Sequence, residues 1–317
     1  MNLTSPTVIK ELLEKYNAKP SKGLGQNFLI DKNILDKIIA AANIKPSDTI
    51  LEVGPGLGVL TQELAKHAKK VIAIEKDKTM IEILKETLKD FDNVEVIEGD
   101  ILKIDFTTSS LREYSNTRSN LKVQIASSPD GSLPAGRQAR NYETAGYKLV
   151  ANIPYYLTSP LIRKFLEAEN QPSEMVLMMQ KEVAQRICAK PPQMSLLAVS
   201  VQFYADPKIV SYVSKNSFWP APKIDSAIIK ITPHSDSSLR EAERRSNLFF
   251  KIVKAGFAQP RKQLVGNLSK NLNLSKEQVN EWLSKNNINP TQRAETLSVE
   301  NWKNLASSLN TTSPSCG

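Results

Sequence analysis

Asn152-Ile153-Pro154-Tyr155 puts an amide oxygen, a backbone carbonyl, a rigid ring and an aromatic face within four residues. The Asn152 side-chain oxygen and the Ile153 carbonyl are acceptors suited to the two N–H bonds of an exocyclic amino group such as N6 of adenine. That nitrogen is a poor nucleophile because its lone pair is delocalised into the ring. Two acceptors favour a pyramidal nitrogen whose lone pair points at a donor. Pro154 stiffens the turn, and Tyr155 offers a stacking face to a base swung out of its strand. No strong base is needed, since the proton leaves after the nitrogen has become cationic, and in-line placement supplies much of the remaining effect. Alone, four such residues are an ordinary strand-end turn; position gives them weight.

A second group suits a nucleoside cofactor. Leu51-Glu52-Val53-Gly54-Pro55-Gly56-Leu57-Gly58 follows an apolar strand and opens a helix, with glycines that let the backbone turn sharply and approach a ligand. Glu75 ends the next strand, where an acid accepts hydrogen bonds from ribose hydroxyls, and Asp100 ends a third, followed by Ile101. The dinucleotide fingerprint asks for a glycine where Val59 stands, so a pyrophosphate cradle is not indicated. Glu52 is either a buried, hydrogen-bonded strand residue or an acid turned toward the cofactor.

The elements needed to position these groups are legible as short apolar runs alternating with helical stretches. Thr49–Val53, Val71–Ile74, Val94–Ile97, Leu149–Ala151 and Met175–Met179 read as buried strands, with helices such as Val59–Ala68 and Lys78–Leu88 between them. Alternation of this kind predicts an α/β fold, a mostly parallel sheet with helices on both faces. Val199–Tyr204, Ile209–Val213 and Ser226–Ile231 read as further strands, close enough to pair antiparallel. Ser5-Pro6 opens a first helix to about Tyr16, and Asp31 precedes a second carrying Ile34, Leu35, Ile38 and Ile39. Beyond His234 only helices are expected, over Asn247–Phe257, Lys276–Lys285 and Val299–Leu309, the middle one opened by a Ser275/Gln278 capping box. The division expected is a domain over residues 1–235 that carries the cofactor and catalytic groups and a small helical domain over 236–317. Residues 107–147, rich in Ser, Asn, Thr, Gly and Arg, read as a mobile insertion with a short strand at Leu121–Ala126.

Forty-two Lys and Arg against 33 Asp and Glu leave a net charge of +9, which favours a polyanionic partner. Two cysteines and two histidines cannot build a disulfide framework or a Cys/His zinc site, so no metal is expected. No apolar run is long enough to span a membrane. The expectation is a cytoplasmic protein.

The Gly-x-Gly-x-Gly spacing resembles motif I of class I methyltransferases, and Asn-x-Pro-Tyr resembles motif IV of the amino-methyltransferases acting on adenine. With Leu24-Gly25-Gln26-Asn27-Phe28-Leu29, Gln180–Arg186, Phe218–Ser226, Phe257–Leu264 and Arg293–Leu297, the chain resembles the ribosomal RNA adenine dimethyltransferase family from about Lys22 to Leu309. The resemblance implies a class I, Rossmann-like seven-stranded sheet with a small helical C-terminal domain, and makes the helical 236–317 domain RNA-binding. It implies dimethylation of N6 of two adjacent adenosines near the 3′ end of small-subunit (16S) ribosomal RNA, with S-adenosyl-L-methionine as methyl donor and a ribosome assembly intermediate as partner. By position, Asn27, Leu29, Gly54, Gly56, Glu75, Asp100, Ile101 and Asn152 would contact the cofactor. Asn152, Pro154 and Tyr155 would hold the target adenine, with Phe218 as its second aromatic wall; on its own terms Phe218 reads equally as core packing. Lys22, Arg261 and Lys262, in loops beside the motifs, are candidate phosphate contacts, each also readable as an ordinary solvated charge. A monomer is expected. The nearest alternative is an erythromycin-resistance methylase acting on a large-subunit adenosine, from which Pro220–Ser226 and Arg293–Leu297 lean away. A second is a non-catalytic nucleic-acid-binding factor that kept the fold.

Overall fold

The computed structural model describes residues 1–21, 23–104, 146–234 and 239–309, the side chains of 239–246 excepted. The strands are β1 (Phe28–Leu29), β2 (Thr49–Val53), β3 (Lys70–Glu75), β4 (Val94–Glu98), β5 (Lys148–Asn152), β6 (Glu174–Gln180), β7 (Ala205–Val213), β8 (Phe218–Trp219) and β9 (Ser226–Pro233). Seven form one sheet in the order β4-β3-β2-β5-β6-β9-β7. The first five in that order pair parallel, and β9 runs antiparallel to β6. Strands of the parallel core read as unbroken apolar runs because both of their faces are covered. Leu149, Val150 and Ala151 are fully buried, as are Met175 through Met179 to within 1%.

Sequence order runs from β2 outward through β3 to β4, then returns to β5 on the other side of β2. The order of winding reverses between the parallel neighbours β2 and β5, so loops at their carboxyl ends part and leave a crevice. Helices fix that crevice from below. Helix Lys32–Ala42 opens on Asp31, whose carboxylate accepts from the Asn33 and Ile34 N–H groups. Its Ile34, Leu35 and Ile38 pack with Val150, Val176, Met178 and Ile228 of the sheet. Helix Pro6–Lys15 has Pro6 at its first turn, and no side-chain bond from Ser5 caps it. Its Ile9, Leu12 and Leu13 pack with Phe28, Leu57, Met80 and Ile83.

The chain forms two compact units, Met1–Ala184 with Lys208–Pro233, and Gln185–Pro207 with the chain from His234. The second unit contains helices Leu196–Tyr204, Leu239–Gly256, Leu264–Leu272, Lys276–Lys285 and Val299–Leu309. Two of the sequence expectations change here. Val199–Tyr204 is the body of a helix, not a strand, opened by Ser195, whose hydroxyl accepts from Ala198 N–H. It also belongs with the helical unit, because Phe203 packs on Phe249 at 4.2 Å between ring centroids and on Phe250 at 5.4 Å. Helix Leu264–Leu272 is an addition, while the Ser275/Gln278 capping box forms as read. The 107–147 insertion falls almost entirely on residues 105–145, outside the described residues.

Candidate active site

Gly54, Gly56 and Gly58 all take left-handed backbone angles, carrying the chain off β2 and into helix Val59–His67. At Gly54 a Cβ would meet Pro154 Cδ at 3.5 Å, an ordinary contact, so the left-handed angle is what favours glycine there. Glu75, buried at the end of β3, holds the loop. Its carboxylate accepts from Gly56 N–H at 3.1 Å, Lys76 N–H at 2.7 Å and Asp77 N–H at 2.8 Å. Burial pushes this carboxyl up from its ordinary value, against the pull of those three donors. Asp100 lies just past β4. Burial pushes its carboxyl up too, but the Lys76 ammonium at 2.9 Å and the Leu102 N–H at 3.0 Å outweigh it and hold the group below its usual range.

Glu52 points into the same space and is 1% exposed. Burial, helped by the charge of Glu75, pushes its carboxyl up to about 8 against the effect of nearby Thr61. Neither Glu52 Oε2 nor the Thr61 hydroxyl completes a hydrogen bond of normal geometry. Burial thus favours the neutral form of a Glu52 carboxyl that lines the cavity.

The turn after β5 closes the other side. Asn152 donates through Nδ2 to the Asn27 carbonyl at 3.4 Å, and Asn27 Nδ2 donates in turn to the Gly25 carbonyl at 3.0 Å. This commits the Asn152 amide nitrogen and turns Oδ1 to acceptor duty. The Ile153 N–H donates to Met178 O at 3.0 Å, tying the turn to β6. Pro154 then lies between two glycines: a Cβ on Gly25 would be 3.6 Å from its Cβ, mirroring the contact at Gly54. Tyr155 starts a single 3₁₀ turn, and its hydroxyl shares a 2.9 Å hydrogen bond with Ser226 Oγ at the start of β9. Burial pushes the Tyr155 hydroxyl up, so it stays neutral. Phe218 comes from β8, which pairs antiparallel with β1, Leu29 opposite Phe218. It is 4% exposed and both lines the cavity and packs with Ile34 and Val213.

All the cofactor and target-base positions expected from the sequence, from Asn27 and Leu29 to Phe218, line this one cavity. Lys22 lies outside the described residues. Arg261 and Lys262 are exposed in the helical unit, on a turn that buried Asn267 ties down by donating to the Gly256 and Gln259 carbonyls. Lys270, Lys276 and Arg293 line a depression with them. Sequence reasoning missed Lys76, Tyr156 and Ser226. Each adjoins a residue or closes a motif already singled out, but only the fold brings Lys76 to Asp100 and Ser226 to Tyr155.

The acid-rich acceptor set, with a glycine turn and no third phosphate-cradling glycine, fits a nucleoside carrying hydroxyl and amino groups. An open, mostly parallel sheet with this loop at its reversal point defines a class I methyltransferase that uses S-adenosylmethionine. The model of the family described as ribosomal RNA adenine dimethylase matches residues 17–311, and the chain belongs to that family. A ribosomal RNA small subunit methyltransferase A from Dehalococcoides mccartyi is 43% identical over 296 residues, 93% of this chain and 90% of that one. Its namesake from Clostridioides difficile is 41% identical over 311 residues, 98% and 97% of the two chains. Among solved structures, a dimethyladenosine transferase from Plasmodium falciparum superposes with a TM-score of 0.66 at 28% identity, covering 89% of this chain and 97% of that one. A 23S rRNA methyltransferase, ErmE, shares the fold, with a TM-score of 0.65 at 23% identity over 90% and 100%. No helix among the described residues is long and apolar enough to cross a membrane.

Proposed function

We propose that this enzyme dimethylates N6 of two adjacent adenosines near the 3′ end of small-subunit (16S) ribosomal RNA, acting as a cytoplasmic monomer on an assembly intermediate. The observation that carries the reading is the orientation of Asn152. Its amide nitrogen is committed to Asn27, which leaves Oδ1 as an acceptor in the cavity that also holds Glu75 and Asp100. Relatives 38–43% identical bear the name ribosomal RNA small subunit methyltransferase A, which favours the small subunit over the large.

S-adenosylmethionine, when bound, supplies an electrophilic methyl group on a sulfonium. Glu75 and Asp100 are the residues that would accept from its hydroxyl and amino groups. The Gly54–Gly58 turn gives close backbone approach. Asn152 Oδ1 and the Ile153 carbonyl accept the two N6 hydrogens and align the nitrogen's lone pair. Tyr155, steadied by Ser226, and Phe218 hold the base plane between them. Arg261 and Lys262 contact phosphates of the RNA. The test is mass spectrometry of adenines after incubating immature small subunits, or protein-free large-subunit RNA, with the enzyme and labelled S-adenosylmethionine. N6-dimethyladenosine at adjacent positions in small-subunit RNA is expected. Label confined to large-subunit RNA would overturn the reading in favour of the erythromycin-resistance type, and RNA binding without transfer would overturn it in favour of a non-catalytic factor.

A further inference from the structure

Three large apolar side chains stand out of the surface near the target turn: Val210 at 43% exposure, Tyr212 at 51% and Ile224 at 42%. Val210 and Tyr212 alternate onto the outward face of β7, the last strand of the sheet, and Lys208 shares that face. Their position relative to the chemistry is fixed by a short chain of bonds. Tyr155 bonds to Ser226, and Ser226 pairs in register with Gln180 at the end of β6. The next residue, Lys181, donates its N–H to Asp225 O at 3.0 Å and places its ammonium 5.1 Å from the centre of the Tyr212 ring. The Lys215 N–H donates to Asp225 Oδ1 at 3.1 Å. Tyr212 thus stands at the same end of the sheet as the target turn, beyond Tyr155. Lys181 stands over its ring, and the exposed Lys215 and Lys223 lie on the segments that follow β7 and precede β9, among the carboxylates of Glu182 and Asp225.

We propose that Tyr212 is a stacking platform for a nucleotide flanking the target adenosine, with Lys215 and Lys223 holding the phosphates beside it. This rests on the RNA substrate assigned above and adds where the strand runs once the target base has entered the cavity. An exposed ring capped by the Lys181 cation, with exposed Lys208, Lys215 and Lys223 beside the acids Asp206, Glu182 and Asp225, has the two parts that single-stranded RNA recognition needs: a π-face for any base and positive charge for the backbone. A protein strand adding to the edge of β7 is the competing occupant. Lys208 on that edge opposes it, because a charge must be desolvated or displaced when a strand pairs there.

The test compares Tyr212→Ala with Tyr212→Phe on immature small subunits. Loss of one base–aromatic stack predicts a KM for RNA raised about 5- to 30-fold in the alanine variant, with kcat within about twofold, while the phenylalanine variant stays within about twofold of wild type. Affinity for S-adenosylmethionine should match wild type in both, which shows the cavity intact. Lys215→Met with Lys223→Met should reduce the salt slope of RNA binding by about one to two. A photocrosslinking p-benzoylphenylalanine at position 212 should attach to RNA within a few nucleotides of the modified adenosines. Crosslinks to protein only, or an alanine variant with unchanged KM while wild type methylates normally, would overturn this inference alone. Wild-type enzyme that transfers no methyl would instead sink the reading beneath it.

Discussion

In the proposed mechanism Asn152 serves the target through its side-chain oxygen, its amide nitrogen donating to Asn27. Replacing it with alanine removes an acceptor aimed at the reacting nitrogen and should lower kcat about 10²- to 10³-fold, with RNA affinity within a few-fold, measured by single-turnover methyl transfer and by filter binding. Glu52 makes a different prediction. Below its ordinary value of 4.5 the carboxyl is protonated whether the chain is folded or not; between there and about 8 only the folded chain keeps the proton. Stability associated with Glu52 is therefore present at low pH and lost as pH rises through that window. Denaturation midpoints measured from about pH 5 to 8 should decline less in Glu52→Gln than in wild type. Parallel curves would mean that Glu52 titrates normally. A buried carboxyl of this kind is not visible in a sequence, because Leu51-Glu52-Val53 reads the same whether the acid is paired or stranded. Glu75 and Asp100 were legible, since strand-end acids follow from the spacing of apolar runs.

Among the elements, the parallel strands were readable because burial on both faces forces unbroken apolar runs. The helix at Leu196–Tyr204 was misread for the same reason: an apolar run without polar interruption carries no period to separate helix from strand. Only Ser195 marked it, and a lone serine before an apolar run is weak punctuation. The pairing of β1 with β8 was beyond reach, as two-residue strands nearly two hundred positions apart leave no pattern. Packing inside the helical unit offers a sharper test. Gly256 ends helix Leu239–Gly256 where a Cβ would fall 2.4 Å from Trp302 Cη2. Trp302 is fully buried and has little room to retreat. Gly256→Ala should destabilise that unit by about 1–3 kcal/mol, read as a lower unfolding midpoint. An unchanged midpoint would mean that the helix ends elsewhere.

For the molecule as a whole, the surplus of nine positive charges favours RNA without specifying a site. If Arg261 and Lys262 each neutralise a phosphate, Arg261→Met with Lys262→Met should reduce the slope of log affinity against log salt by about two. The affinity for S-adenosylmethionine should not move. A slope equal to wild type would reassign both residues to solvent. Strands stop near His234, and the chain from there falls in the second unit. The membership of Gln185–Pro207 is decided by Phe203 meeting Phe249 and Phe250, contacts that no local window contains.

A Cβ added at Gly54 of the cofactor loop or at Gly25 of the Leu24–Leu29 segment would meet Pro154 at 3.5–3.6 Å, and the turn that carries Pro154 is the one proposed to present the target acceptors. If both ligands bind as proposed, one ring borders both sites, and thermodynamic linkage binds their affinities together. By whatever factor S-adenosylmethionine changes the affinity for RNA, RNA must change the affinity for S-adenosylmethionine by the same factor. Calorimetry of each ligand with and without the other should return one ratio from both directions. Pro154→Ala should bring that ratio toward one, leaving two sites that no longer register each other's occupancy.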